Sequence, residues 1–354
     1  MVVKKTYCGI LLAIFSPFLG HSQADRRAEL LQGAEAYIRY RVVDDEGHPV
    51  PAADVKVWWE TDYPRLIVKE EGARTDDDGR FEIKGKVNHA LICGLDKMGF
   101  YHSTDRVAFR SRKIDPAIVD GRWQPYGEER TVVLKRMKNP IALYTSRGEE
   151  YHRYPRFDEW VGFDLQVRDW VYPHGKGEKE DVLIRFEKQI TSDGYCKTME
   201  LAFTNNPYAG VYVRKNDDFS EMTSVYQADT NECFNGNMRY EFRRTAKGNV
   251  KVTLERGQYL VFRTRTAVDE KGDLKSAHYG KIYGDWRFSE KGGMAIGQVA
   301  FNPTPNDTNL EDAETARRSS QMWGTPSGVA QTEPFWTISG FASLLFVGKA
   351  WVCE

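Results

Sequence analysis

Met238-Arg239-Tyr240-Glu241-Phe242-Arg243 is the stretch that decides the fold. Apolar and charged side chains alternate with a period of two, the spacing at which successive residues of a strand face opposite sides of a sheet. The pattern spreads outward from there. Val250, Val252 and Leu254 alternate with Lys251 and Thr253; Met199, Leu201 and Phe203 with Glu200 and Ala202; Val182, Ile184 and Phe186 with Leu183 and Arg185; Leu165 and Val167 with Gln166 and Arg168. Nearer the N-terminus, Ile38, Tyr40 and Val42 alternate with Arg39 and Arg41, and Val55, Val57 and Trp59 with Lys56 and Trp58. Arg80 to Ile83, Leu91 to Cys93 and Thr131 to Leu134 read as further strands, and residues 24–36 as a short helical lead. Strands this closely spaced, with no helices between them, predict an all-β protein: one β-sandwich followed by a larger, jelly-roll-like one.

Turn chemistry supports that reading. Asp44-Asp45-Glu46-Gly47, Asp76-Asp77-Asp78-Gly79, Asp269-Glu270-Lys271-Gly272 and Ser289-Glu290-Lys291-Gly292 each offer a glycine able to take positive φ. The Asp76 cluster is not an EF-hand calcium loop. With Gly79 at the sixth position, Arg74 and Gly85 would occupy the first and twelfth, where acidic ligands are required.

The chain has 354 residues, 41% hydrophobic and 29% charged, enough for two domains with real cores at about 150 residues each. With 50 Lys and Arg against 51 Asp and Glu it has no basic field for nucleic acid. Lys4 and Lys5, the apolar run from Tyr7 to Leu19, and small residues at Gly20 and Ser22 read as a signal peptide over residues 1–22. The run is shorter than the roughly 20 residues that span a bilayer, so no membrane span is expected after cleavage. The expected location is periplasmic or extracellular. Cleavage leaves Cys93, Cys196, Cys233 and Cys353 in an oxidising compartment, where three pairings can be drawn and Cys196–Cys233 is the preferred bridge.

Two resemblances organise the chain. Val42-Val43-Asp44, the run from Gly47 to Val55, Thr75-Asp76 with Asp78-Gly79-Arg80-Phe81, and Lys97-Met98-Gly99-Phe100 make residues 37–135 resemble the carboxypeptidase regulatory-like domain, a transthyretin-like β-sandwich. That resemblance implies a non-catalytic module of secreted bacterial proteins and carries no site residue. After a linker at 136–160, residues 161–312 are similar to a family of secreted bacterial β-sandwich proteins without an assigned activity. The matching segments are Gly162 to Leu165, Asp169-Trp170-Val171, Pro173 to Gly177, Ala277 to Asp285, and Asn302 to Glu311. Residues 313–354 depart from that pattern and read as a divergent tail.

Chemistry is sparse. The mature histidines 48, 89, 102, 152, 174 and 278 lack metal-ligand spacing, and no Cys-x-x-Cys, nucleophile elbow or phosphate loop occurs, so no metal site and no cofactor is expected. A glycosidase would need paired carboxylates. Asp158, Glu159, Asp164 and Asp169 are the candidates, but Asp164 and Asp169 would face opposite sides of a continuous strand. Lys281 and Asp285 read as a sheet-edge feature. The best functional patch is Asp169-Trp170-Val171-Tyr172-Pro173-His174-Gly175-Lys176-Gly177, where Asp169, Trp170, Tyr172, His174 and Lys176 have the composition of a carbohydrate platform; the more ordinary alternative is that Trp170 packs in the core and Gly175-Lys176-Gly177 merely turns the strand. The expectation is an exported, non-catalytic binding or structural protein whose partner is a glycan or an envelope protein. A secreted glycoside hydrolase is the competing reading.

Overall fold

The computed structural model of the chain describes residues 33–321 apart from 61–67, 110–117, 147, 205–207, 218, 247, 253, 256 and 290–292. The signal-peptide reading at 1–22, Cys353 and the tail beyond residue 321 lie outside the described residues. The protein is all-β, with two sandwiches in succession.

The first sandwich uses β1 (Ala34–Asp44), β2 (Asp54–Glu60), β3 (Val68–Arg74), β4 (Arg80–Val87), β5 (Ala90–Asp96), β6 (Ser103–Ala108), β7 (Ile118–Val119), β8 (Arg122–Trp123) and β9 (Glu128–Leu134). One sheet runs β4-β1-β8-β7 with β9 parallel to β1; the other runs β3-β2-β5-β6. Alternation sorts the side chains as expected, so Ile38, Tyr40 and Val42 face Val55, Val57 and Trp59 in one core, each no more than 2% exposed. The helical lead does not extend to residue 36, because Ala34 to Ala36 already pair with β4.

Three of the expected turns share one device. Asp44 Oδ1 accepts the N–H groups of Glu46 and His48, Asp76 Oδ1 those of Asp78 and Arg80, and Asp269 Oδ1 those of Lys271 and Asp273. In each, the fourth residue is a glycine at positive φ whose N–H returns to the aspartate carbonyl. At Gly79 a Cβ would stand 2.4 Å from the Val42 carbonyl oxygen, so glycine is required there on two counts.

The second sandwich adds β10 (Tyr144–Thr145), β11 (Glu150–Arg153), β12 (Trp160–Asp164), β13 (Asp169–Trp170), β14 (Val182–Thr191), β15 (Gly194–Phe203), β16 (Gly210–Lys215), β17 (Asn237–Thr245), β18 (Gly248–Val252), β19 (Gln258–Val268), β20 (Leu274–Tyr283), β21 (Arg287–Ser289), β22 (Gly293–Ile296) and β23 (Gln298–Phe301). A six-stranded sheet, β13-β12-β14-β15-β17-β18, packs over a five-stranded sheet, β10-β23-β20-β19-β16, and a small one, β11-β22-β21. The segment 136–160 is therefore more than a linker, since β10 and β11 pair with β23 and β22. Residues 165–168, expected to continue a strand, form a hairpin turn instead. Asp164 Oδ1 accepts the Gln166 and Val167 N–H groups, and Arg168 sits at φ 60.

The sandwiches are fastened together. Residues 219–221, from the connection between β16 and β17, lie against the start of β6, where Thr104 N–H donates to the Phe219 carbonyl and Glu221 N–H to that of His102. The Lys135 ammonium grips the Met222 and Ser224 carbonyls at 3.1 and 2.7 Å. The Glu311 carboxylate accepts the N–H groups of Lys138 and Asn139 and the Tyr101 hydroxyl. The start of the expected tail is a helix, α1 (Ala313–Gln321), whose Ala316 packs with Tyr101 and Met222 at this seam. Lys281, expected at a sheet edge, lies inside the five-stranded sheet at 2% exposure and donates to the Leu310 carbonyl and Ser224 hydroxyl.

Among the described residues no helix is long and apolar enough to cross a membrane.

Candidate functional site

Three places in the second sandwich bear on function: the 169–177 loop, the acidic cluster behind it, and the outward face of the six-stranded sheet. The loop is held by Asp169. Its Oδ1 accepts the Trp170 N–H at 2.8 Å and its Oδ2 the Lys176 N–H at 2.9 Å. Gly175 passes so close that a Cβ would stand 2.4 Å from the Trp170 carbonyl oxygen. Trp170 is opposite Phe163 in the ladder and so points inward. It is 4% exposed, packs edge-on against Phe163 and Phe186, and donates its indole N–H to the Arg153 carbonyl. Tyr172, at 83% exposure, and His174 and Lys176 face solvent. The paired aromatic platform expected here does not form, because Trp170 belongs to the core.

The carboxylates behind the loop also differ from expectation. The 165–168 turn makes Asp164 and Asp169 direct partners across the β12–β13 hairpin rather than residues on opposite faces. Both are structural braces. Asp164, buried, accepts four backbone N–H groups, from Gln166, Val167, Glu178 and Lys179, at 2.9–3.0 Å. It also meets the Arg265 guanidinium at 3.1 Å, which bonds Asp181 through Nε at 3.0 Å and Nη2 at 3.1 Å. Arg265 is aimed inward by a bulge in β19, at φ 50, and lies over the Phe301 ring. Burial pushes the Asp181 carboxyl above the usual range, opposed by Arg265. His278, stacked on Phe301, is held below its ordinary value by burial. Of the remaining candidates, Asp158 and Glu159 are exposed, and Glu159 pairs with Arg156. Among the described residues no group of three or more His, Cys, Asp or Glu side chains is placed to share a metal ion.

The preferred disulfide is corrected. Cys196 is a free thiol, whereas Cys233 is disulfide-bonded to a partner outside the described residues. Cys196 lies six residues along β15 from Ala202, which pairs with Asn237 four residues beyond Cys233. At about 3.3 Å per residue that strand length alone is roughly 20 Å, against the 4.4–6.8 Å between Cα atoms that a bridge needs.

The outward face of the six-stranded sheet is where side chains converge. Cross-strand register places Trp160, Arg185, Glu200 and Arg239 in one row, then Glu187, Thr198 and Glu241, then Gln189, Cys196 and Arg243. The last row, with Arg239, Glu241 and Thr198 from the rows before it and Thr191, Asp193 and Thr245 beyond it, lines a trough of 310 Å³. Arg185 reaches Glu200 at 2.5 Å and lies 5.0 Å over the Trp160 ring; Arg239 reaches Glu200 at 2.5 Å, and Arg243 reaches Glu241 at 2.8 Å. The Arg185 hydrogen bond, with Arg239 beside it, holds the Glu200 carboxyl below the usual range. Trp160 is 44% exposed. Sequence reading missed this site because alternating Arg and Glu on a strand is also how an ordinary solvated face looks.

No protein-family model matches the chain, and no curated protein matches it. Among solved structures it is similar to 3-chlorocatechol 1,2-dioxygenase from Rhodococcus opacus 1CP, at 18% identity over 30% of this chain and 61% of that one, TM-score 0.24. It is likewise similar to hydroxyquinol 1,2-dioxygenase from Pseudomonas putida DLL-E4, at 15% identity over 30% of this chain and 57% of that one, TM-score 0.22. Catechol 1,2-dioxygenase from Acinetobacter radioresistens matches at 13% identity over 31% of this chain and 55% of that one, TM-score 0.25. The chain thus spans a little over half the length of these enzymes, and likeness at this level carries no activity across. The class that the fold defines is an all-β protein of two joined sandwiches.

Proposed function

We propose that this is an exported, non-catalytic binding protein that holds a glycan on the outward face of its six-stranded sheet. The observation that carries the reading is the 310 Å³ trough whose walls are hydrogen-bonding side chains of three neighbouring strands. Trp160 extends the face as a surface on which a sugar ring stacks, while Gln189, Thr191, Arg239 and Glu241 offer donors and acceptors to hydroxyls. Export is supported by the signal-like residues 1–22 and by the disulfide at Cys233, a bond that persists in oxidising compartments. The regulatory-like resemblance of residues 37–135 fits the same setting and adds no chemistry. The glycosidase reading is weaker, because Asp164 and Asp181 are already bonded to backbone N–H groups and Arg265.

Affinity electrophoresis of residues 23–354 through gels containing neutral polysaccharides tests the reading. Retardation should appear with at least one polymer and be lost in Trp160→Ala and Glu241→Gln, both folded by circular dichroism. Equal retardation of the variants, or none with any polysaccharide, would overturn it.

A further inference from the structure

The inward face of β14, β15 and β17 outruns the core that it roofs. Phe186, Met199 and Tyr240 form the last fully buried row, each no more than 3% exposed. Two more rows follow on that face: Lys188, Lys197 and Phe242, then Ile190, Tyr195 and Arg244. Ile190 is 83% exposed, so the core face emerges into solvent as a ledge.

The ledge is cationic and unanswered. None of Lys188, Lys197 and Arg244 has an ion-pair partner among the described residues, and no inward position on these three strands is acidic. The other face of the same strands is balanced, with Arg185, Arg239 and Arg243 each bonded to a glutamate. On the ledge the Lys188 and Lys197 ammoniums instead sit 5.5 and 5.6 Å from the centre of the Tyr195 ring, which is 6.0 Å from the Phe242 ring. A ring within reach of both ammoniums partly offsets their charge and draws them together.

This arrangement selects its ligand by chemistry. Three cations without an ion-pair partner among the described residues attract a polyanion, and an open strand surface accommodates an extended chain rather than a compact molecule. The apolar surface of Phe242, Tyr195 and Ile190 suits a ligand with a non-polar C–H face beside its negative charge, as a uronic acid ring has. We propose that this ledge binds an acidic polysaccharide, with carboxylates at Lys188, Lys197 and Arg244 and sugar rings against Phe242 and Ile190. The proposal rests on the glycan reading above for its class of ligand and adds a second, charge-selective surface.

The test is affinity electrophoresis of residues 23–354 in gels containing polygalacturonate, in parallel with its methyl ester, which keeps the backbone and removes the charge. Retardation by polygalacturonate should be at least about tenfold stronger than by the ester, and should fall steeply with added salt. The triple variant Lys188→Ala, Lys197→Ala, Arg244→Ala should lose it, and Lys188→Arg with Lys197→Arg should keep it. Equal retardation by the ester, or by the triple variant, would overturn the ledge. So would adsorption to phosphatidylglycerol vesicles without retardation by polygalacturonate, which would make the partner a lipid surface. Neutral glycans held at the trough with no response to polygalacturonate would sink the ledge alone; no response to any glycan would sink both readings.

Discussion

The two sandwiches bury charge differently. In the first, Asp105 takes a two-pronged bond from Arg130 at 2.7 and 2.9 Å and the Tyr40 hydroxyl at 3.1 Å, with one quarter of Arg130 still in water. In the second, one guanidinium serves both Asp164 and Asp181, each 1% exposed. Both arginines stay partly in water, Arg130 at 26% and Arg265 at 20%, so the difference lies in how many buried carboxylates each one meets. In the second, Arg265 is the ion-pair partner of two buried carboxylates that otherwise accept, among the described residues, only backbone N–H groups and the Thr264 hydroxyl, and loss of a buried partner costs more than the intact pair contributes.

The largest expected break in that comparison is Arg265→Met. It should destabilise the second sandwich by about 3–5 kcal/mol, read by urea denaturation, whereas Arg130→Met should cost the first about 1.5–3 kcal/mol. Equal losses would show that the shared clamp is no different from the simple pair. Next comes Trp170→Ala, expected to cost about 3 kcal/mol by emptying the space between Phe163 and Phe186. Tyr172→Ala, two residues on, should change stability by no more than about 0.5 kcal/mol. A Trp170 variant as stable as the wild type would return that ring to the surface.

The smallest effect is in pH. His152 and His278, both in the second sandwich, are held below their ordinary value chiefly by burial. The unfolded chain therefore takes up protons that the native one refuses, and stability is lost as pH falls below about 6.5. Asp181, raised by burial, acts in the opposite sense at lower pH, where the native state accepts the proton more readily. In the first sandwich burial alone would raise Asp44 and Asp45, but the N–H groups of His48 and Glu46 with Arg136 in one case, and Lys138 in the other, bring both below the usual range. Their contribution is full above about 3.8 and lost as pH falls through their lower native values. Hydrogen exchange between pH 7 and 4 should show the second sandwich loosening first; simultaneous loosening would erase the distinction.

The sequence made the long strands legible because one face is buried and the other wet, as Ile38 to Val42 and Met238 to Tyr240 show. The Asp-x-x-Gly turns were legible because their chemistry is local. Tyr144–Thr145 and Glu150–Arg153 were not, since two to four residues establish no period. Asp181 and Arg265 escaped notice for a different reason: they meet across 84 residues through a bulge. Composition alone leaves Trp170 open between core and platform, because a two-residue strand gives no hint of which side is in, and the structure settles it for the core. The Cys196 pairing failed on distance along a strand, which counting residues between cysteines cannot reveal.

The grip of residues 219–224 on the first sandwich has a mechanical consequence. Paired modules in one chain usually swing about their connector. Here the Phe219 and Glu221 bonds along β6, the Lys135 contacts and the Glu311 carboxylate resist bending at separate points. A load applied at the far edge of the six-stranded sheet is therefore expected to reach the first sandwich through several parallel bonds rather than through the connector alone.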